Sequence, residues 1–120
     1  MFELSIERRF SAAHAIVING ERETVHGHDW RVTVIVGGPD LDDEGLLCDF
    51  HALEHALDRI VGPFRNQDLN ATPPFDELNP TAENVARYVG ESMAAGLPTN
   101  VELRRVSVEE APRCVASWCP

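Results

Sequence analysis

Phe2, Leu4 and Ile6 are apolar and alternate with Glu3, Ser5 and Glu7, the pattern of a strand with one buried face. The segment continues through Phe10-Ser11-Ala12-Ala13-His14, which predicts strand structure over Phe2–Ala15. Ile16–Val25 reads as a polar connection built around Asn19-Gly20, a strong turn signal. Trp30, Val32, Val34 and Val36 alternate again, predicting a β-rich strand over Trp30–Val36. From Gly37-Gly38-Pro39-Asp40 to Glu44-Gly45 the chain is rich in turn formers.

The period then changes. Phe50, Leu53, Ala56, Leu57, Ile60 and Val61 fall on one side of a helix over Phe50–Val61, with Asp49 placed to cap it and Gly62-Pro63 to stop it. Phe64–Asn79 reads as a long loop containing Pro73-Pro74, and loops of that length inside compact domains are often functional. A second helix is predicted to begin at Pro80-Thr81, with Val85, Tyr88, Val89, Ser92 and Met93 on one side and Gly96-Leu97-Pro98 after it. Val101–Val108 and Arg113–Trp118 predict two further strands. The order ββααββ predicts an α+β fold, an antiparallel sheet with both helices on one face. At 120 residues the chain reads as one domain, 1–120, thin for burying a deep pocket alone, so a pocket shared between subunits is a natural expectation.

Charge excludes some partners. The formal net charge of −10 disfavours nucleic acid and anionic membrane surfaces, both of which call for a basic face. All ten basic residues are arginine, so no lysine is there to form a Schiff base or act as a base. Cys48, Cys114 and Cys119 show no paired spacing; with no secretory leader pattern they point to reduced thiols and a cytoplasmic setting. Cys48 itself reads as a small buried hydrophobe.

The candidate chemistry lies in histidines. His26 and His28 stand two apart at the entry to the second strand, so their imidazoles share a face. His14 ends the first strand. If the two strands are antiparallel neighbours, three imidazoles converge, and three nitrogen donors with one open position suit a catalytic zinc ion. The ordinary alternative is that these are strand histidines without a metal. His51 and His55, four apart with polar neighbours, read as solvent-facing on the first helix.

Phe10–His14, His26-Gly27-His28 with Trp30, Leu46–Phe50, Leu69-Asn70, Asn79–Asn84 and Val108-Glu109-Glu110 form a set of motifs spread over nearly the whole chain. Together they resemble the 6-pyruvoyl-tetrahydropterin synthase and 6-carboxytetrahydropterin synthase family. The resemblance implies the tunnelling fold with a four-stranded antiparallel sheet, and assembly as a hexamer of two stacked trimers. It also implies Zn2+ on His14, His26 and His28, and a pterin bound at a subunit interface. Glu110 stands where the family anchors the pterin, and a carboxylate suits the side-by-side N–H and amino groups of that ring. Glu109 should point the other way. Thr81 and Ala82 match the segment lining the ring pocket, although Thr81 can equally serve as a helix cap alone.

The chain also departs from that family. Arg22 stands at the position of the usual catalytic cysteine, and Arg65 and Asn66 at those of the usual Asp-His pair. Neither arginine can act as a base. Glu23, in Glu23-Thr24-Val25-His26-Gly27-His28, matches a folate-linked branch that cleaves the side chain of dihydroneopterin triphosphate. That retro-aldol step needs a base for a hydroxyl and a Lewis acid for the developing charge, which Glu23 and zinc would supply. Glu23 can also be only a solvated loop residue. Arg22 and Arg65 suit a phosphate or carboxylate on the ligand, or else pair with nearby acids. Two other readings stay open: a 6-carboxytetrahydropterin synthase serving deazapurine synthesis, and a non-catalytic binder of a pterin- or purine-like ligand.

Overall fold

A computed structural model describes residues 1–120. Two 13-residue strands, β1 (Phe2–His14) and β4 (His26–Gly38), pair antiparallel along their full length, from Phe2 opposite Gly38 to His14 opposite His26. The polar connection between them is itself a small hairpin of β2 (Val17–Ile18) and β3 (Glu21–Arg22). Asn19 and Gly20 both have positive φ, 53° and 78°, as a tight two-residue hairpin turn requires.

Helix α1 (Phe50–Val61) follows, with the Asp49 side chain accepting from the His51 N–H at its N-terminus. The stretch read as a bare loop carries two 3-10 turns, Gly62–Phe64 and Leu69–Ala71, around the short strand β5 (Gln67–Asp68). Helix α2 (Ala82–Ala94) is capped by Thr81, whose hydroxyl accepts from the Asn84 N–H at 3.0 Å. Strands β6 (Glu102–Ala111) and β7 (Cys114–Trp118) complete the chain.

The main sheet has five strands in the order β5-β1-β4-β6-β7, where a four-stranded antiparallel sheet is the sequence expectation. The difference is β5, which lies parallel to β1 at Ala12 and Ala13. Two residues carry no readable alternation, which is why the pattern hides it. Strand β6 shows a phase jump between Leu103 and Val106, and it coincides with an irregularity in the pairing to β4 at Ile35/Val36. One extra residue on one strand resets the alternation.

Both helices cover one face of the sheet. Ile6, Phe10 and Ala12 of β1, Trp30 to Val36 at alternate positions of β4, and Val106 and Val108 of β6 form the core with Leu53, Leu57 and Val61 of α1 and Val85, Ala86, Val89 and Met93 of α2. Phe10 stacks on Trp30, and Phe64 and Phe75 fill the space beneath the loop. Gly90 lets α2 approach β7 closely, since a Cβ there would collide with the Trp118 ring. Cys48 is half-buried against the core, and burial pushes its thiol up from the ordinary value. No helix is long and apolar enough to cross a membrane.

Candidate metal centre

The even-numbered residues at the ends of β1 and β4 face the helix layer, and they include three histidines. His14 is opposite His26, and His28 is opposite Ala12, one alternation step inward. The three imidazoles therefore meet edge to face, with ring centroids 4.7–5.1 Å apart. Glu110 joins them from β6: one ligand atom from each of His14, His26, His28 and Glu110 lies within 4.8 Å of the others.

Backbone carbonyls set the rings. His14 Nδ1 lies 2.8 Å from the Pro80 carbonyl oxygen, and His26 Nδ1 lies 2.8 Å from that of Thr24. A carbonyl only accepts, so each Nδ1 carries the proton and each Nε2 presents a lone pair toward the cluster. Holding the ligand tautomer by a second hydrogen bond is the usual device around metal-binding histidines. His14 is fully buried and stacks edge-on against Trp30.

The buried Nε2 atoms of His14 and His28 have no hydrogen-bond partner. Two buried ring nitrogens left unpartnered beside a carboxylate are costly without a cation between them, so the residues present fit a metal ion. Burial lowers the His28 imidazole from its ordinary value of 6.5, and His14 and His26 add to that while Glu110 opposes it. A lowered value keeps the ring neutral, the form that binds metal.

Much of the loop chemistry serves this geometry. The Asn70 side-chain amide brackets Ala15, its oxygen accepting from the Ala15 N–H at 2.7 Å and its nitrogen donating to the Ala15 carbonyl at 2.9 Å. Asn79 does the same to Val17 at 2.9 and 3.0 Å. Asn84 in turn donates to the Asn79 carbonyl at 2.9 Å. The two amides act as a partner strand for the segment leaving His14, and they fix the Pro80 carbonyl against its ring.

Glu23 lies beside the cluster. Its Oε1 accepts from the Ile16 N–H at 3.0 Å and is 3.6 Å from His26 Nε2. Glu110 faces two ways, since it also lines an open cavity of about 460 Å3 with Ala82, Glu83 and Cys114 to Ser117. Glu109 points to the opposite face, where Arg31 donates to it at 2.9 Å. Thr81 acts as the α2 cap. Arg22 is exposed on the hairpin with no ionic partner, whereas Arg65 donates to the Arg9 carbonyl at 3.0 Å and faces Asp58 at 3.9 Å. No contact joins either arginine to the histidines. His51 and His55 are exposed on α1.

Gly27 borders a second open cavity of about 510 Å3 with Ser11, Ala13, Asp29 and Asn66. A Cβ there would meet no atom within 4 Å, so within this chain close backbone approach does not demand glycine. Sequence reasoning did not foresee Glu110 among the imidazoles. Its alternation with Glu109 was the available signal, but the register of β6 against β4 was needed to place it.

A five-stranded sheet built on two long strands and backed by two helices, with three imidazoles and a carboxylate converging at one end, defines a tunnelling-fold protein with a candidate His/Glu metal site. The 6-pyruvoyl tetrahydropterin synthase family matches residues 3–119, and the chain belongs to that family. It is 36% identical over 101 residues to a dihydroneopterin monophosphate aldolase of Pyrococcus furiosus, covering 84% of this chain and 82% of that one. It is 32% identical over 120 residues to a 6-carboxy-5,6,7,8-tetrahydropterin synthase of Bacillus subtilis, covering 95% and 75%. The 6-pyruvoyl tetrahydropterin synthase structure of Caenorhabditis elegans superposes with a TM-score of 0.82 at 22% identity, over 100% of this chain and 97% of that one.

Proposed function

We propose that residues 1–120 form one domain of a zinc-dependent pterin aldolase that cuts the side chain of 7,8-dihydroneopterin carrying a phosphate. The observation that carries the reading is Glu23, a carboxylate 3.6 Å from His26 Nε2 in a chain with arginine where the family's usual cysteine stands. The aldolase of Pyrococcus furiosus supports the same class of reaction.

His14, His26 and His28 would hold the metal. When bound there, zinc supplies Lewis acidity to the side-chain hydroxyls. Glu23 takes the proton of the 2′-hydroxyl, and its hydrogen bond from Ile16 holds the carboxylate in place. The C1′–C2′ bond breaks, C2′ leaves as the aldehyde carbon, and the electron pair passes to C1′ and the ring imine. A proton then replaces the lost carbon at C1′. The products are 6-hydroxymethyl-7,8-dihydropterin and glycolaldehyde phosphate. Glu110 and Ala82 line the cavity in which the ring would lie, with Thr81 capping α2 beside it and Glu110 accepting from the ring's N–H and amino groups. Arg22, exposed one residue from Glu23, suits the phosphate; Arg65 would reach it only from a second subunit. The exposed β7, with Val115 54% exposed, supports assembly through sheet edges, and the resemblance suggests a hexamer of two trimers.

The 32% identity to a 6-carboxytetrahydropterin synthase favours a second reading, in which the same site makes 6-carboxytetrahydropterin and acetaldehyde. Arg22, Arg65 and Asn66 oppose it, because none relays a proton as thiol, carboxylate and imidazole do. Product mass after incubation of zinc-loaded protein with dihydroneopterin mono- and triphosphate decides. Hydroxymethyl-dihydropterin supports the aldolase, 6-carboxytetrahydropterin supports the synthase, and unchanged substrate with bound pterin supports a non-catalytic binder.

A further inference from the structure

The Glu110 carboxylate is closer to the imidazoles than a ring anchor needs to be. Its Oε1 lies 3.1 Å from His28 Nε2 and 3.4 Å from His14 Nε2. At those separations a hydrogen bond is available, yet neither Nε2 makes one. For His14 the reason is chemical as well as angular, because its proton is committed to Pro80 at Nδ1. The carboxylate oxygen and the His14 Nε2 lone pair repel each other, and the buried His28 Nε2 stays unpartnered beside them, unless a cation lies among them.

The distances themselves match such an arrangement. Four ligands bound tetrahedrally at about 2.0–2.1 Å stand about 3.3–3.4 Å apart along each edge. The two Glu110 separations fall around that edge length, and all four donor atoms lie within 4.8 Å. Glu110 thus stands at the vertex that three histidines alone leave open. The same side chain lines the cavity of about 460 Å3 beside Ala82.

The geometry points to Glu110 as the fourth metal ligand while the pocket is empty, a ligand that leaves the metal when a ring with adjacent N–H and amino groups enters the cavity. The exchange half rests on the pterin reading above. It gives one carboxylate two successive partners: the resting site is closed to water, and the vertex opens only when the ring is seated. The pairing irregularity between β6 and β7 at Glu109/Ala111 leaves Glu110 outside the ladder, where a side chain can turn between two directions.

The test uses Co2+ in place of zinc, read by its visible absorption, together with chelator competition for zinc affinity. Proteins compared are the parent, Glu110→Gln and the control Glu109→Gln, each checked for folding by circular dichroism. Glu110→Gln is expected to lower zinc affinity about 10-fold or more and to change the cobalt spectrum, with Glu109→Gln like the parent. Pterin lacking a side chain, added to the parent, is expected to shift the cobalt spectrum toward that of Glu110→Gln and to leave the variant's spectrum unchanged. Parent-like affinity and spectrum in Glu110→Gln overturn the ligand assignment. Pterin that binds, by its own fluorescence, without moving the parent's cobalt spectrum overturns the exchange. Absence of pterin binding to any of the three proteins sinks the pterin reading instead, and metal affinity alone then decides the ligation.

Discussion

Glu23 Oε1 lies 3.6 Å from His26 Nε2, and the same oxygen accepts from the Ile16 N–H at 3.0 Å. The connection thus ties the Glu23 carboxylate, three residues before His26, to the backbone leaving His14. Glutamine keeps an acceptor oxygen for Ile16 and removes only the basicity. Glu23→Gln is therefore expected to lower kcat about 10²–10⁴-fold while metal content and melting temperature stay near those of the parent. Metal analysis beside steady-state kinetics checks it; retained turnover removes Glu23 as the base.

Asn70 satisfies both backbone groups of Ala15, the residue after His14. Asn70→Ala leaves that half-buried N–H and carbonyl without partners, at a cost of about 1–3 kcal/mol in denaturant unfolding. Because the bracket holds the strand end that carries His14, zinc affinity is expected to fall about 10–100-fold as well. Stability loss with unchanged affinity would confine Asn70 to the scaffold.

The pH dependence of the metal-free protein follows from His28 and Asp58. Burial lowers the folded His28 value below its ordinary 6.5, so the unfolded chain takes up the proton first as pH falls. Stability is then fully present above 6.5 and declines as pH drops from there toward the folded value. The Arg8 guanidinium holds Asp58 below its ordinary 3.8, which places a second loss beneath that pH. Melting temperature against pH is expected to show both declines. His28→Asn should flatten the upper one and Asp58→Asn the lower one.

The α1 boundaries, the Asp49 cap and the long β1 strand were legible, because amphipathic period and capping chemistry are local. Strand β4, by contrast, starts at His26, four residues before the alternation from Trp30 makes it readable, and Thr81 proves to be the cap that was one of its two readings. The meeting of His14 with His26 and His28 followed once the two strands were taken as neighbours. The strand β5 was not legible: two residues cannot show a period, and its pairing with Ala12 and Ala13 is set by tertiary contact. The amide brackets of Asn70 and Asn79 were likewise invisible, since asparagine in a loop reads the same whether it faces water or a distant backbone. Glu110 beside the imidazoles depended on strand register, which no single sequence fixes.

Anomalous scattering from crystals grown with zinc tests the central claim most directly. The account predicts one zinc peak per chain, about 2.0–2.1 Å from Nε2 of His14, His26 and His28. A fully occupied zinc bound elsewhere, with those three imidazoles bare, would contradict it.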